Sequence, residues 1–394
     1  MATYKEQNKL NVPHLRFPEF EGEWEKCKLG DIATGFDYGM NAPAKVFDGV
    51  NKYIRITDID EASSTYNDSD IVSPDGTLTD TYLVNERDIL LARTGASTGK
   101  SYLYKKTDGK LYFAGFLIRA NVPEHNPYFV FSQLHTHRYW KWVSIMSARS
   151  GQPGINSQEY SSFPIYTTSI QEERKISKLL SLLEERIATQ SKLIEDLKKL
   201  KSAIIEKLYK EIQGTWYSYR QLFSIINERN KQLEYSNVLS ASQERGMVSR
   251  EDLNLDIHFE RSNISTYKIV KNGDYVIHLR SFQGGFAFSE KTGICSPAYT
   301  VLRPHNLLVY SYLSNYFTSR DFVKSLIIVT YGIRDGRSIN VDEWLDMKVV
   351  IPSKEQQTHI VNVIKSIENK IKNEETYSNC LLNQKQYLLR QMFI

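Results

Sequence analysis

The chain repeats one domain-sized pattern, and this duplication constrains its fold more than any other feature. Four pairs of segments recur in the same order in the two halves of the chain. The segments SGQPGIN and DGRSIN end at Asn156 and Asn340, and the offset between these asparagines equals that between Ile176 and Ile360 in SIQEERKI and SKEQQTHI. This period is several times longer than that of any solenoid repeat. The sequence therefore predicts two similar globular halves.

The other two pairs lie nearer the start of each half. Trp24 opens the segment WEKCKLGDIATG and Trp216 opens WYSYRQLFSIIN, and we take the two segments as equivalent, each leading into a short helix. The segments LVNERDILLARTG (83–95) and IVKNGDYVIHLRS (269–281) each predict a turn with a central aspartate followed by a buried strand. Between these landmarks nearly every residue differs, as expected for one fold that presents two different surfaces.

Each half ends in a segment with coiled-coil periodicity, from Ser169 to about Gln213 and from Ser353 to the C-terminus. Ser169 and Ser353 are predicted N-caps, with Glu172 or Gln356 in the capping-box position three residues later. A helix of roughly 40 residues is about 60 Å long, which is more than either half needs and indicates a spacer. The predicted seam between the helices comprises Ile176, Leu180, Leu183, Ile187, Ile194, Leu197, Ile204 and Leu208, with Gln190 and Lys201 interrupting it, and Ile360, Ile364, Ile367, Ile371, Leu381, Leu388 and Met392.

Composition sets the protein class without identifying a function. The chain has 41% hydrophobic and 24% charged residues, and no apolar run approaches the roughly 18 residues of a membrane span. The polar N-terminus lacks a signal-peptide pattern, so we expect a cytoplasmic protein without a membrane partner. The net charge of +4 permits nucleic-acid binding but does not require it.

The residues that most often bind metals are sparse and scattered. Cys27, Cys295 and Cys380 are odd in number and far apart, which favours reduced thiols over a disulfide framework or a zinc site. His135 and His137 are two positions apart on a predicted helix, and this spacing turns them to different faces. We therefore predict that the chain binds no metal.

Two motifs imitate catalytic signatures. In TGASTGKS (94–101) only three residues separate Gly95 from Gly99, and the following SYLYKK predicts a strand where a phosphate-binding loop needs a helix. NPYF (126–129) lacks the second proline of an adenine-methyltransferase loop. Asn126 and Pro127 instead predict the start of one amphipathic helix. We expect no catalytic residue and no cofactor on this chain. The apolar face of that predicted helix comprises Phe131, Leu134, Trp142 and Ile145.

The N-terminal run VPHLRFPEFEGEWEKCKLGDIA (12–33) resembles the opening of the specificity subunits of type I restriction-modification systems. Further segments fit the same family, namely YIRITDID (53–60), ERDILLARTGASTGKSYLY (86–104), GDYVIHLRS (273–281), FPIYTTSIQEERKI and VVIPSKEQQTHI. One departure is that the usual proline-rich lead into the first helix is reduced to Pro164. The resemblance covers essentially the whole chain, including the duplication.

This resemblance implies an α/β fold with two tandem target-recognition domains. Each domain is followed by a long helix, and the two helices pair as an antiparallel coiled coil with a pseudo-two-fold internal repeat. The predicted boundaries are 1–166 for the first recognition domain, 167–213 for a central spacer helix, 214–351 for the second recognition domain and 352–394 for a C-terminal spacer helix.

The resemblance also implies partners and a division of labour. The chain would select a bipartite sequence on double-stranded DNA and bind two modification subunits that methylate adenine N6. Restriction subunits would add ATP-dependent translocation and cleavage. S-adenosylmethionine, ATP and Mg would then bind those partners. Because the two halves are so divergent, we expect an asymmetric target.

Base recognition needs side chains with paired donors or acceptors on loops or helix ends. Two glycine-containing loops in each half qualify, namely Arg93–Ser101 and Ser147–Asn156, and Arg280–Gly285 and Tyr331–Ser338. Similar polar residues occur on many turns that bind nothing. Asn156 and Asn340 are duplicated, so we expect them to stabilise the fold. The candidate DNA contacts are Arg93, Thr94, Ser97, Lys100, Arg149, Gln152, Arg280, Ser281, Gln283, Arg334 and Arg337.

Two other functions remain open at this point. A coiled-coil structural adaptor without direct DNA recognition would use the same helices, and its affinity would not depend on DNA sequence or salt. A free-standing nuclease or methyltransferase would need a clustered metal or cofactor motif, and the sequence shows none.

Overall fold

A computed structural model describes residues 11–148, 153–242, 245–253, 261–278, 285–331 and 338–394. The chain divides into two compact units, and both long helices contribute to both of them. Unit 1 comprises Met1–Gln190 and Tyr377–Ile394, and unit 2 comprises Ser191–Thr376. The predicted domain boundaries stay a prediction.

The strands and short helices of unit 1 precede the first long helix. Its strands are β1 (Glu25–Lys28), β2 (Thr34–Tyr38), β3 (Ala44–Val46), β4 (Lys52–Ile54), β5 (Val72–Pro74), β6 (Asp88–Ala92), β7 (Ser101–Leu103), β8 (Leu111–Phe113), β9 (Leu117–Asn121) and β10 (Pro164–Thr167). Its short helices are α1 (Leu29–Ile32), α2 (Pro127–Gln133), α3 (His137–Met146) and α4 (Ser157–Ser161). The first long helix, α5 (Ile170–Lys210), continues into unit 2.

Unit 2 contains the second set of elements. Its strands are β11 (Thr215–Ser218), β12 (Phe223–Ile226), β13 (Leu239–Ser242), β14 (Gly246–Ser249), β15 (Lys268–Val270), β16 (Tyr275–Ile277), β17 (Phe286–Phe288), β18 (Gly293–Cys295), β19 (Thr300–Pro304), β20 (Thr330–Tyr331), β21 (Ser338–Ile339) and β22 (Lys348–Ile351). Its short helices are α6 (Tyr219–Leu222), α7 (Arg320–Ser325) and α8 (Val341–Asp346). The second long helix, α9 (Lys354–Gln391), returns to unit 1.

The two units repeat one sheet topology, which confirms the predicted duplication. The central antiparallel sheet has the order β2-β9-β6-β7 in unit 1 and β12-β19-β16-β17 in unit 2. A two-stranded antiparallel ribbon accompanies each sheet, β1 with β10 and β11 with β22. The central strands β6 and β16 are buried along their whole length, as their apolar sequences predict. Each unit combines β-sheets with helices, and this combination, repeated in both units, is the predicted α/β architecture.

The turn before each central strand is also duplicated. Asp88 accepts a hydrogen bond from the backbone N–H of Asn85, and Asp274 accepts the equivalent bond from Lys271. Both aspartates are buried, at 2% exposure. The partner on the neighbouring strand differs, because Asn121 donates to Asp88 whereas Arg303 donates two bonds to Asp274. The predicted turn with a central aspartate is confirmed in both halves.

The tryptophan landmark of the sequence comparison is wrong by two positions. The caps of α1 and α6 are Lys28 and Ser218, and counting back from these caps aligns Trp216 with Lys26 and Trp24 with Gly214. Trp24 is 1% exposed, whereas Trp216 is 65% exposed. The two tryptophans share only the residue type. They occupy different positions relative to the helix caps and differ in burial, so they are not equivalent. The predicted short helices themselves are present.

Within each unit, segments of the two long helices pack antiparallel, as predicted. In unit 1, Ile176, Leu180 and Leu183 share a core with Leu381 and Leu388. In unit 2, Ile205 shares a core with Ile360 and Ile364. Ion pairs follow the same opposed direction, since Glu184 meets Lys385 in unit 1, and Lys198 meets Glu375 and Lys201 meets Glu368 in unit 2, at 2.6, 2.7 and 2.6 Å.

Burial along the seam is uneven. Ile187, Ile194, Leu197 and Ile367 are only partly buried. Ile205 is buried at 5% exposure, whereas the predicted Ile204 is only partly buried. A heptad pattern tolerates this shift by one position because an α-helix has about 3.6 rather than 3.5 residues per turn. The predicted interruption at Lys201 coincides with its ion pair to Glu368.

The single amphipathic helix predicted from Asn126 onward is wrong, because two helices occupy the segment. Asn126 caps α2 as predicted, and its side chain accepts from the backbone N–H groups of Tyr128 and Phe129. The Thr136 hydroxyl donates to the Gln133 carbonyl at 2.7 Å and accepts from the Tyr139 N–H at 3.3 Å. One threonine thus ends α2 and begins α3.

The helix break separates the two neighbouring histidines. His135 lies between the helices, and its ring contacts the Phe131 carbonyl and the Ser64 hydroxyl, both at 2.9 Å. Burial lowers the pKa of His135 to about 4, so the ring is neutral at physiological pH. Within the described part of the chain, no group of histidine, cysteine, aspartate or glutamate side chains is arranged to hold a metal ion. No helix there combines the length and apolarity of a membrane span.

Candidate nucleic-acid interface

The two loops predicted to contact DNA in the first half lie side by side. The backbone N–H of Gly95 donates to the Pro153 carbonyl at 3.0 Å, and the N–H of Ile155 donates to the Arg93 carbonyl at 2.9 Å. Thr94 and Gly154 form an isolated antiparallel bridge between these bonds. The loops are distant in the sequence, and the fold joins them into one surface.

Two buried tyrosines hold the backbone of the first loop. The Tyr139 hydroxyl donates to the Gly99 carbonyl at 2.8 Å, and the Tyr160 hydroxyl donates to the Ala92 carbonyl at 2.6 Å. The Gly99 N–H donates to the Tyr160 hydroxyl at 3.2 Å. Burial raises the pKa of both phenols, so both stay protonated and can donate. The loop therefore has a defined backbone between β6 and β7.

Gly99 is required at its position for two reasons. Its φ of +92° is a conformation that residues with side chains rarely adopt. A Cβ there would also lie 2.7 Å from Val143 and 2.9 Å from Trp140 on α3. Packing and backbone conformation therefore explain why a glycine occupies position 99 in TGASTGKS. The segment after it is the strand β7, as predicted.

The four predicted contacts in this loop differ in their surroundings. The Arg93 guanidinium lies 4.7 Å from the Tyr38 ring centroid, and its Nη1 donates to the Gly115 carbonyl at 3.4 Å. The Lys100 ammonium lies 3.2 Å from the Glu61 carboxylate. Thr94 takes part in the bridge to Gly154, and Ser97 lies in the short 3-10 turn Gly95–Ser97. Each of these four residues is partly buried.

Seven other predicted contacts lie outside the described residues, and their role stays a prediction. They are Arg149, Gln152, Arg280, Ser281, Gln283, Arg334 and Arg337.

A surface cavity of about 640 Å³ opens beside Arg93. Its described lining includes Arg55 and Arg93 and no carboxylate, together with Tyr38, Asn41 and Phe116. Arg55 is held by Asp58, which accepts from its Nε and Nη2 at 2.8 Å each. The lining therefore has a positive character. For one of its arginines, Arg93, the described residues provide no carboxylate partner.

Sequence inspection missed the aromatic part of this cavity. Tyr38 and Phe116 are 41% and 58% exposed, and both line the cavity. Tyr38 lies far before Arg93 in the chain, so no local pattern connects them. Gly39 lets the segments of Tyr38 and Ala114 approach each other, because a Cβ there would lie 2.2 Å from the Ala114 carbonyl oxygen.

A second cavity, of about 330 Å³, has the opposite charge. It lies at the start of α5 and is lined by Glu21, Glu23, Glu25 and Glu172. Glu172 is neutralised by Arg16, but the other three carboxylates repel DNA phosphates and make this cavity a poor nucleic-acid site. The contrast favours the Arg93 side as the candidate interface.

The duplicated asparagines cap helices, as expected. The Asn156 side chain accepts from the Glu159 N–H at 2.9 Å, and the Asn340 side chain accepts from the Glu343 N–H at 3.4 Å. Their function is structural, because each satisfies a backbone donor in the first turn of a helix.

Comparison with known proteins agrees with this architecture. Residues 21–199 match the family model described as Type I restriction modification DNA specificity domain. The Type I restriction enzyme MjaVIII specificity subunit of Methanocaldococcus jannaschii is 24% identical over 415 residues, covering 94% of this chain and 91% of that protein. Over most of its length the chain is similar to this type I restriction enzyme specificity subunit.

Two solved structures share the fold of this chain. The type I restriction-modification S subunit from M. genitalium aligns with a TM-score of 0.58 at 13% identity, covering 97% of this chain and 99% of that one. A chain from a structure on complex assembly and conformational transition of the type I R-M system aligns with a TM-score of 0.59 at 14% identity, covering 94% and 97%. At these identities, the structural likeness concerns the fold alone.

Proposed function

We propose that this chain selects the DNA sequence on which a type I restriction-modification complex acts. The observation that supports this most is the duplicated domain with a family match over 21–199, joined to helices that pack antiparallel. Two copies of one fold whose predicted recognition loops differ in sequence suit a bipartite, asymmetric target. In unit 1, the described loop that carries Arg93 is the part of the chain that we propose contacts DNA.

The chain chooses the sequence and does not catalyse. Two modification subunits, carrying S-adenosylmethionine, would methylate adenine N6 in the two half-sites. Restriction subunits, using ATP and Mg, would translocate and cut unmodified DNA. The long helices would supply both the spacing between half-sites and the docking surface for these partners. The complex would act in the cytoplasm.

The test is sequencing of N6-methyladenine in genomic DNA from cells that express the chain with its cognate modification subunit. Cells with the modification subunit alone are the control. We expect a new split motif with one methylated adenine in each half. An unchanged methylome, while the same modification subunit is active with another specificity chain, would contradict the proposal and favour a structural adaptor.

A further inference from the structure

We propose that Arg93, held against Tyr38, recognises a guanine in the half-site of the first recognition domain. The inference rests on the proposed function and names one specificity determinant for it. Guanine presents O6 and N7 in the major groove, and a planar guanidinium can donate to both at once. This is the commonest specific contact between an arginine and a base.

The surroundings of Arg93 leave donors for such a contact. A guanidinium has five N–H donors, and the hydrogen bond to Gly115 uses one of them at 3.4 Å. Among the described residues, no carboxylate forms an ion pair with Arg93. Lys100 and Arg55 differ, since Glu61 and Asp58 neutralise them. Arg93 is therefore the described cation in this region that is best able to bind an incoming acceptor.

The orientation of the guanidinium is also defined. The Tyr38 ring, 4.7 Å away, restricts the plane of the guanidinium, and Tyr38 is itself hydrogen-bonded to Ser157 at 3.2 and 3.3 Å. A side chain that is already ordered loses less conformational entropy when it binds. A guanidinium whose plane is fixed can align two of its N–H donors with the two acceptors of a planar base edge. A phosphate contact carries no sequence information, and lysine can supply it as a point charge.

The cavity beside Arg93 can admit a base edge. It measures about 640 Å³, and small residues such as Gly39, Ala42 and Ala44 form part of its lining. Phe116, 58% exposed, adds an apolar surface of the kind that contacts a thymine methyl group next to the guanine. The described lining carries no acidic residue that would repel the DNA backbone.

The experiment compares the methylomes of Arg93→Lys, Arg93→Ala and Tyr38→Ala with that of the unaltered chain. We expect a guanine in one half of the unaltered motif and, in Arg93→Lys, acceptance of other bases at that position alone. A lost bidentate contact costs about 1 to 3 kcal/mol, which is roughly a 5- to 150-fold loss of discrimination. Tyr38→Ala relaxes the same position to a smaller extent. Arg119→Lys, the same change at an arginine that pairs with Asp37 and lies outside the cavity lining, leaves the motif unchanged.

A second experiment measures DNA binding by the purified complex and changes the base instead of the protein, so that its first result does not depend on the folding of a variant. In duplex DNA, 7-deazaguanine at the assigned position removes the N7 acceptor without changing base pairing. We expect it to weaken binding by the unaltered complex and to have little further effect with Arg93→Ala, which is a double-mutant cycle between protein and DNA. Equal weakening of both complexes would overturn the inference.

Other results separate the two proposals. If Arg93→Lys retains full activity and the full motif, or if the Arg93 variants weaken methylation at every site without altering the motif, Arg93 contacts phosphate or nothing and the guanine assignment is wrong. The selection of DNA by the chain would still stand. If the unaltered chain generates no motif at all, the proposed function itself fails.

Discussion

The first turns of the two long helices satisfy one structural need with different chemistry. At the start of α5, Glu173 accepts from the backbone N–H of Asn126 and contacts His125, both at 2.8 Å. At the equivalent position of α9, Gln357 accepts from the N–H of Val309 at 2.8 Å. Each side chain is almost fully buried, at 0% and 1% exposure. Both links join a long helix to its own globular part.

The difference between the links follows from their neighbours. Gln357 also donates to the carbonyls of Leu307 and Pro352, both at 3.0 Å, so a neutral amide satisfies three groups. Unit 1 places charged partners there instead, because Arg16 donates two bonds of 2.8 Å to Glu172 next to Glu173. The fold requires a buried acceptor at this position, and the surrounding donors decide whether it carries a charge.

The largest effect is expected from Arg16→Met, because it leaves the buried Glu172 carboxylate without its cation. Side-chain exposure is 12% for Arg16 and 1% for Glu172. Breaking a buried pair from one side costs about 3 kcal/mol or more. Hydrogen–deuterium exchange on the full chain should show lower protection at the start of α5 and unchanged protection at the start of α9. The matched control is Arg174→Met on an exposed position, and an equal effect there would refute the role of the pair.

A smaller loss is expected from Gln357→Leu in unit 2. The change removes three hydrogen bonds and leaves the Val309 N–H without its acceptor, at a cost of about 2 kcal/mol. Protection should fall at the start of α9 and stay unchanged at the start of α5. The neighbouring Gln356→Leu, at an exposed position, is the control. If both leucine variants behave alike, the buried amide is not the anchor.

Acid should distinguish the ionic link from the neutral one. Burial alone raises the pKa of Glu172, but the hydrogen bonds from Arg16 and Thr168 outweigh it, and the pKa lies below its ordinary value. This lowered pKa stabilises the folded state above the ordinary glutamate pKa of about 4.3, and the contribution is lost as the pH falls further, by at most about 1.4 kcal/mol per pH unit. Exchange protection between pH 5 and pH 3.5 should therefore decrease at the start of α5 more than at the start of α9. The variant Glu172→Gln should reduce that difference, and a difference that persists in full would count against this carboxylate.

The smallest effect is expected from Glu173→Gln, which gives unit 1 the chemistry of unit 2. The new amide can still accept from the Asn126 N–H, so the loss should stay below about 1 kcal/mol. The hydrogen bond that His125 donates to the Glu173 carboxylate raises the pKa of His125, and this stabilisation is present below the ordinary histidine pKa and lost as the pH rises through the raised value. NMR titration should show a lower pKa for His125 in the variant. An unchanged pKa would show that Glu173 is not its cause.

Much of the architecture could be predicted because its signals are local or repeated. The caps at Asn126, Ser169 and Ser353 involve residues three positions apart, and each accepts a backbone bond in the structure. The duplicated aspartate turns at Asp88 and Asp274 have the same property. The helix break at Thr136 was missed because a threonine within an apolar periodicity is compatible with a continuous helix, and only its hydrogen bonds show that it ends one.

The sequence by itself determined the duplication, the two long helices and the absence of a recognisable catalytic motif. Periodicity and capping act between near neighbours in the chain, which is the range that a sequence displays directly. The tertiary structure alone decided that Arg93 lies on Tyr38, that the loop of Arg93 meets Pro153, and that Arg16 reaches the distant Glu172. These contacts depend on strand order and on which face each strand presents. A polar residue in the sequence does not reveal which distant charge will accompany it once the chain is folded.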